Sequence, residues 1–211
     1  MKLKITKFVH SCLVVESPDG RVAVFDPGVF STMFDPGMFT RIDDVFITHN
    51  HSDHMDISQI KHIVEHFPEV RICATAEAVE QLAAEGITAT SDAPEGAVLF
   101  DSPHESTEPL FPTPQEHGVH YLDTLTHPGD SHHFGEAKAI LALPLAAPWG
   151  APIPAFRLAT ELKPKYIIPI HDWHWNDQAR SGLYDMLAAK FEEQGITFIK
   201  PVNGEPFEID A

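Results

Sequence analysis

Histidines and aspartates are concentrated in residues 48–56, which read Thr-His-Asn-His-Ser-Asp-His-Met-Asp. Imidazole nitrogens and carboxylate oxygens suit divalent zinc, manganese or iron. The stretch has no soft sulfur ligand of the kind that copper(I) or an iron–sulfur cluster prefers. His49 and His51 can face one ion, while Asp53 and His54 can diverge toward a second. Four side chains do not complete the coordination of two ions, so further ligands must come from elsewhere in the chain.

The elements around this stretch predict how such ligands are positioned. The apolar run 45–47 before it is typical of a short buried strand, which places the polar side chains on the loop at the strand's end. Similar runs at 98–100, 121–125 and 166–170 lead to His104, Asp130 and His171. An earlier hairpin, strands 12–15 and 22–25 with a turn at 17–20, ends at Asp26. Because helical patterns at 57–67, 75–85, 154–162 and 177–194 alternate with these strands, we expect a layered α/β architecture.

The motif His-x-His-x-Asp-His after a short strand resembles the signature of the metallo-β-lactamase-fold hydrolases. That resemblance extends over essentially the whole chain and implies a four-layer αββα sandwich, in an α/β (α+β) class, with the site at one edge of two sheets. The Asp-Pro-Gly, Gly-Asp-Ser and Ile-Pro-Ile-His segments are most similar to the branch that includes ascorbate-phosphate lactonases.

The resemblance also implies a role for each residue. One metal would be held by His49, His51 and His104, the other by Asp53, His54 and His171, with Asp130 bridging them. Asp26 would support the metal loop without binding metal itself.

Some assignments stay open at the level of sequence. His117, beyond a proline-rich loop, competes with His104 as the third histidine of the first site. His174 and Trp149 are candidates to contact substrate. The apolar loop 29–40 is expected to be either a lid or subunit contact, or a segment folded onto the core.

Composition limits the class of protein. A chain of 211 residues is expected to form one domain, residues 1–211. The net charge of −17 argues against nucleic acid or an anionic membrane as partner, although bound cations would still admit a small anionic substrate. The start lacks an apolar signal core, and Cys12 and Cys73 are expected to be buried and reduced, so a cytoplasmic location is expected. A homo-oligomer remains open.

These observations predict a metal-dependent hydrolase of a small-molecule lactone, ester or phosphodiester. Two divalent ions, with zinc ahead of manganese and iron, would turn a bridging water into a hydroxide nucleophile, and Asp53 would hold or accept its proton. The alternatives are a di-iron redox protein, although 211 residues leave no room for the flavin domain that such relatives usually carry, and a catalytically silent metal-binding protein of the same fold.

Overall fold

The computed structural model describes all 211 residues and contains two six-stranded sheets. The first sheet has the order β12-β1-β2-β3-β4-β5. Its strands are β1 (Lys2–Lys7), β2 (Leu13–Glu16), β3 (Val22–Phe25), β4 (Asp44–Ile47), β5 (Arg71–Ala74) and, from the end of the chain, β12 (Pro206–Asp210). β1, β2 and β3 pair antiparallel, whereas β3, β4 and β5 run parallel.

The second sheet has the order β11-β10-β9-β8-β7-β6. Its strands are β6 (Ala97–Asp101), β7 (His117–Tyr121), β8 (Leu125–His127), β9 (Ile140–Pro144), β10 (Tyr166–Ile170) and β11 (Thr197–Phe198). The prediction of a single strand over 121–125 was wrong. Leu122 and Asp123 adopt left-handed backbone conformations, with φ of 50° and 49°, and turn the chain between the antiparallel strands β7 and β8.

Four helices cover the outer faces of the sheets: α1 (Ile57–His66), α2 (Ala76–Ala84), α3 (Pro152–Leu162) and α4 (Asp177–Glu192). Side-chain oxygens of Asp56, Thr75 and Asn176 accept hydrogen bonds from the first turns of α1, α2 and α4. Such caps satisfy backbone N–H groups that have no partner inside the helix. α3 instead starts with Pro152, whose missing N–H is no loss at that position.

The alternation of side chains along each strand separates three apolar clusters. In β4, Val45 and Ile47 pack toward α1 and α2, whereas Phe46 packs between the sheets. In the second sheet, Leu141 and Ile167 pack toward α3 and α4, while Ile168 joins the cluster between the sheets. Successive residues of a strand point to opposite faces, so each buried strand contributes to two layers. The expected αββα sandwich is confirmed.

Loop 29–40 is folded onto the core in part, as one of its two expected roles requires, and no contact in the structure tests the lid or subunit role. Phe34 is buried and Phe39 packs against the cluster beneath α1, which ties the loop to the core. A short 3₁₀ helix, Pro36–Met38, lies between them. Met33 and Met38 are exposed, and Phe30 extends to the cleft described below.

Candidate metal centre

The side chains predicted to bind metal, and Asp26 that is predicted to support them, follow the ends of strands from both sheets. Asp26 follows β3, the motif at 48–54 follows β4, and His171 follows β10. Within each sheet these strands run parallel to a neighbour, β3 to β4 and β9 to β10, so their carboxyl ends lie at one edge. The structure brings all seven predicted ligands together at this edge.

The first group consists of His49, His51 and His104, whose ligand atoms all lie within 4.8 Å of one another. His49 and His104 are buried, whereas His51 lies at the floor of a cleft. His104 is therefore the histidine that joins this group. His117 begins strand β7 and stands outside it, with its backbone N–H donating to the carbonyl of Thr48.

The second group consists of Asp53, His54 and His171 together with His10, again within 4.8 Å. His10 was not among the predicted site residues. It follows strand β1, is fully buried, and its Nε2 lies 3.1 Å from Oδ2 of Asp53. The signal that could have identified it is a histidine shortly after a strand, here three residues beyond the end of β1.

Asp130 stands between the two groups. Its Oδ1 lies 3.0 Å from Nε2 of His54, and its Oδ2 lies 2.9 Å from Nε2 of His171 and 3.6 Å from Nε2 of His104. The side chain is 2% exposed. The carboxylate of Asp130 therefore lies next to histidines of both groups.

In each buried histidine ring, the nitrogen that faces away from the other ligands is fixed by a hydrogen bond. Nδ1 of His54 lies 2.8 Å from Oδ2 of Asp26. Nδ1 of His104 and Nδ1 of His171 face the backbone carbonyls of Glu105 and Ala146. Because a carboxylate and a carbonyl only accept, Nδ1 carries the proton in these rings.

His49 is oriented by Thr48, whose hydroxyl is in turn hydrogen-bonded to Asp26. The hydroxyl of Thr48 donates to Oδ2 of Asp26 at 2.8 Å, so its oxygen is left to accept from Nδ1 of His49 at 3.1 Å. Oδ1 of Asp26 accepts the backbone N–H of Thr48 at 2.8 Å. Asp26 thus supports the loop and two of its histidines, which is the role that the resemblance implies.

The inward-facing atoms fit a metal centre. Nε2 of His49, His54, His104 and His171 and Oδ1 of Asp130 are buried, and apart from the short distances to Asp130 given above they have no hydrogen-bond partner within the protein. Isolated buried polar atoms of this kind are costly, and they are rare in native proteins unless a ligand satisfies them. Neutral imidazoles with Nδ1 bound outside and Nε2 free inside have the tautomer that divalent metals require. The donor set therefore fits divalent ions.

The histidines and carboxylates of the centre shift one another's pKa values. Burial disfavours the imidazolium form, yet Asp130 and Asp26 raise the pKa of His54 well above its usual value. Burial also lowers the pKa of His171, but Asp130 and Asp53 outweigh this effect and raise the pKa to about 9. The pKa of His49 instead falls well below its usual value because of burial and the neighbouring His54.

The two carboxylates of the centre remain ionised. Although burial favours the neutral acid, His171 and His54 hold the pKa of Asp130 well below its usual range. Burial likewise opposes ionisation of Asp53, but His10 and His171 beside its carboxylate keep its pKa well below the usual value. Both side chains can therefore serve as anionic ligands near neutral pH.

Glu116 is a second contributor that sequence reasoning missed. Its side chain is completely buried, with Oε2 2.9 Å from Nδ1 of His49 and accepting the backbone N–H of Asp130 at 2.9 Å. Burial and the nearby Asp130 raise its pKa well above the usual value. It lies in an irregular segment just before β7, where neither spacing nor periodicity distinguishes it from a surface glutamate.

Two glycines allow the backbone to close around the centre. A Cβ at Gly28 would lie 1.8 Å from the carbonyl oxygen of Asp53. Gly129 has φ +70°, and a Cβ there would lie 2.7 Å from the carboxyl carbon of Glu116. The glycines of the Asp-Pro-Gly and Gly-Asp-Ser segments are thus required by close contacts with the metal loop and with Glu116.

A buried ion pair fixes the turn that carries His171. Its backbone is left-handed, with φ 56°, and the next residue, Asp172, lies 2.8 Å from Nζ of Lys7, both side chains being 1% exposed. The hydroxyl of Tyr184 on α4 also donates to Asp172. This pair joins the ends of β1 and β10 beneath the second group of ligands.

A cleft of about 700 Å³ opens above the ligands and contains His51, Asp53, Asp130 and His171 in its floor. Both candidate substrate-contacting residues, His174 and Trp149, line it. The ring of Trp149 lies 5.2 Å from that of His171 and 6.1 Å from that of His104. Elsewhere, no helix of the structure has the length and apolar character needed to cross a membrane.

Comparison with known proteins agrees with this architecture. Protein Rv0786c of Mycobacterium tuberculosis is 28% identical over 217 residues, which cover 93% of this chain and 100% of that protein. Igni18, a metallo hydrolase of the archaeon Ignicoccus hospitalis, has a similar structure with a TM-score of 0.73, 19% identity and 100% coverage of both chains. CmlA, a diiron β-hydroxylase of Streptomyces venezuelae, has a TM-score of 0.71 at 14% identity, covering 99% of this chain and 54% of CmlA.

A family model, the β-lactamase superfamily domain, matches residues 4–171. The matched segment contains the whole motif at 48–54 and extends to His171, the last of the ligands described above. This chain belongs to the metallo-β-lactamase superfamily.

Proposed function

We propose that the protein is a hydrolase that binds two divalent ions and cleaves a small-molecule lactone, ester or phosphodiester. The observation that supports this proposal most directly is the set of buried Nε2 atoms that face Asp130 while each Nδ1 is bound on the far side. Superfamily membership and the similarity to a metallo hydrolase support the same reaction class.

Bound divalent ions would activate a water molecule as nucleophile and polarise the carbonyl or phosphoryl oxygen of the substrate. The protein's own contribution is to hold the ligands rigidly. Asp26 orients His54 directly and His49 through Thr48, and backbone carbonyls orient His104 and His171. Rings held in this way present their lone pairs without further rearrangement.

Asp53 lies where it can orient an attacking water. Its carboxylate is 23% exposed, lies in the floor of the cleft and is held by Nε2 of His10 at 3.1 Å. A carboxylate that stays ionised and reaches solvent can accept a hydrogen bond from an attacking water and orient it. His10 thereby acts as a positioning residue for Asp53.

The test is metal analysis of the protein beside the Asp130→Asn variant, with Asp123→Asn as a matched exposed control. We expect about two equivalents of metal in the wild type and the control, and about one or fewer in Asp130→Asn. Activity on chromogenic esters, lactones and phosphodiesters should fall by at least about a thousandfold in Asp130→Asn alone. One equivalent in the wild type after reconstitution with zinc and with manganese would refute the bridging role of Asp130.

A di-iron redox protein is the second candidate, because CmlA, a diiron β-hydroxylase, shares the fold and histidine with carboxylate suits iron as well. Iron retained through purification, with an absorption spectrum that changes reversibly on reduction, would favour it. A colourless protein active with zinc or manganese would exclude it. The similarity to the ascorbate-phosphate lactonase branch stays a hypothesis, and it places lactones in the substrate panel.

A further inference from the structure

The walls of the cleft above the candidate metal ligands contain apolar and acidic side chains. The lining residues outside the ligand set include Phe30, Leu110, Phe111 and Trp149, with Glu77 and Glu108 as the charged members. None of the lining residues is a lysine or an arginine. The cleft therefore has no permanently cationic side chain, and His174 is its one histidine outside the ligand set.

A substrate with a phosphate or carboxylate away from its reacting bond normally requires a cationic partner in the site. Arginine binds such groups bidentately and lysine binds them as a point charge. Apart from His174, the only cations available would be the metal ions, and these would be engaged by the reacting group. A remote anionic group would instead meet Glu77 and Glu108 in a protein whose net charge is −17.

Apolar surface is available in the same walls. The ring of Phe30 stacks on that of Trp173 with centroids 3.9 Å apart and an interplanar angle of 9°. Leu110 is 69% exposed and Phe111 is 61% exposed, on the loop that borders the cleft. Large apolar side chains left exposed beside a reaction centre are typical of the parts of a site that bind apolar groups of a ligand.

We propose that the substrate is an uncharged ester or lactone with an apolar arm, and that this arm lies against the aromatic side chains of the cleft. This inference rests on the proposed hydrolase function and narrows it. It places phosphorylated and carboxylated metabolites, including lactones with a distal phosphate, outside the preferred substrates. Phe111 and Trp149 would contact the arm, while Glu108 would discriminate against remote negative charge.

The first experiment compares matched substrates on the metal-loaded enzyme. We would measure kcat/KM for 4-nitrophenyl hexanoate and for the 4-nitrophenyl monoester of adipic acid, which has a similar length but ends in a carboxylate. We expect a preference of about tenfold or more for the uncharged ester. In Glu108→Lys this ratio should shift by about tenfold toward the anionic ester, whereas Glu65→Lys, the same charge change on the exposed face of α1, should leave the ratio within about twofold.

A second experiment tests the cleft without catalysis. Binding of hexanamide and of adipic acid monoamide to the metal-loaded protein can be followed through tryptophan fluorescence, since Trp149 lines the cleft and Trp173 stacks on a lining residue. The uncharged amide should bind at least about tenfold more tightly, and Phe111→Ser should weaken its binding by a similar factor.

The outcomes separate this inference from the proposed function. Equal or better turnover and binding of the carboxylated compounds would overturn the inference and leave the hydrolase intact. Tighter binding of the uncharged amide by a protein that holds two metal ions but hydrolyses nothing in the panel would support the apolar cleft and refute the hydrolase.

Discussion

Oδ2 of Asp26 lies 2.8 Å from Nδ1 of His54, although the two residues belong to different loops and neither side chain is exposed to solvent. The same carboxylate accepts the backbone N–H and the hydroxyl of Thr48. One residue outside the set of metal ligands therefore determines how two of those ligands are presented.

Asp26→Asn tests this relationship. An amide nitrogen in place of one carboxylate oxygen would place N–H groups against the donors of Thr48 or His54. We expect metal affinity to fall by roughly 10–100-fold and the free energy of unfolding of the metal-free protein to fall by about 2 kcal/mol. Calorimetric metal titration and urea unfolding measure the two effects. Unchanged affinity in this variant would show that the loop is held without Asp26.

Two substitutions of Glu116, which remove its contacts to His49 and Asp130 to different extents, test whether this residue supports the metal ligands. Glu116→Ala removes the acceptor for the N–H of Asp130 and the carboxylate beside His49, and we expect metal affinity to drop by roughly 10–100-fold. Glu116→Gln retains an oxygen acceptor and should lose less. Glu80→Gln, on the exposed face of α2, is the control and should match the wild type. Equal affinities in all three variants would contradict a supporting role for Glu116.

The close approach at Gly28 can be tested with a pair of alanine substitutions. Gly28→Ala would force the backbone of the metal loop away from residue 28, since the new Cβ would meet the carbonyl oxygen of Asp53. We expect loss of metal binding and a lower melting temperature. Gly182→Ala lies within α4 with no neighbour near the new Cβ, and it should stabilise the protein by about 0.5–1 kcal/mol. Thermal unfolding of both variants measures the contrast.

Lys7 and Lys4 lie on the same strand but differ in burial. Lys7→Met leaves the buried carboxylate of Asp172 without its closest cation, so we expect a loss of about 3 kcal/mol in the free energy of unfolding. Lys4→Met breaks the pair between Lys4 and Glu16, whose lysine side chain is 45% exposed, and should change stability by less than about 1 kcal/mol. Similar losses in both variants, measured by urea unfolding, would show that burial does not set the strength of the inner pair.

Both cysteines should be inert in the native protein. Burial raises the pKa of Cys12 to about 12 and that of Cys73 to about 11, so the reactive thiolate forms only well above neutral pH. At pH 8 we expect no labelling of the folded protein by a disulfide reagent over an hour, and two thiols per chain after unfolding in guanidinium. Rapid labelling of either residue in the folded state would show that its surroundings open locally.

The local patterns of the sequence identified the metal loop and most of the elements. The motif at 48–54 could be recognised because its residues lie on one short loop, where spacing alone limits their arrangement. Apolar periodicity likewise predicted the four helices, at 57–67, 75–85, 154–162 and 177–194, close to their observed bounds. β7 was missed because His117-Gly118-Val119-His120-Tyr121 contains one aliphatic residue, and its strand conformation depends on pairing with β6 and β8.

Only the tertiary structure showed which residues from distant parts of the chain lie next to the metal ligands. His104 joins His49 and His51 whereas His117 does not, and sequence left that choice open. His10 pairs with Asp53 across 43 positions, and Glu116 reaches His49 from an irregular segment. The sequence determined which residue types could bind metal and which strands precede them. The packing of two sheets against each other decided which of those residues meet, because contacts across a shared core leave no local periodicity in the chain.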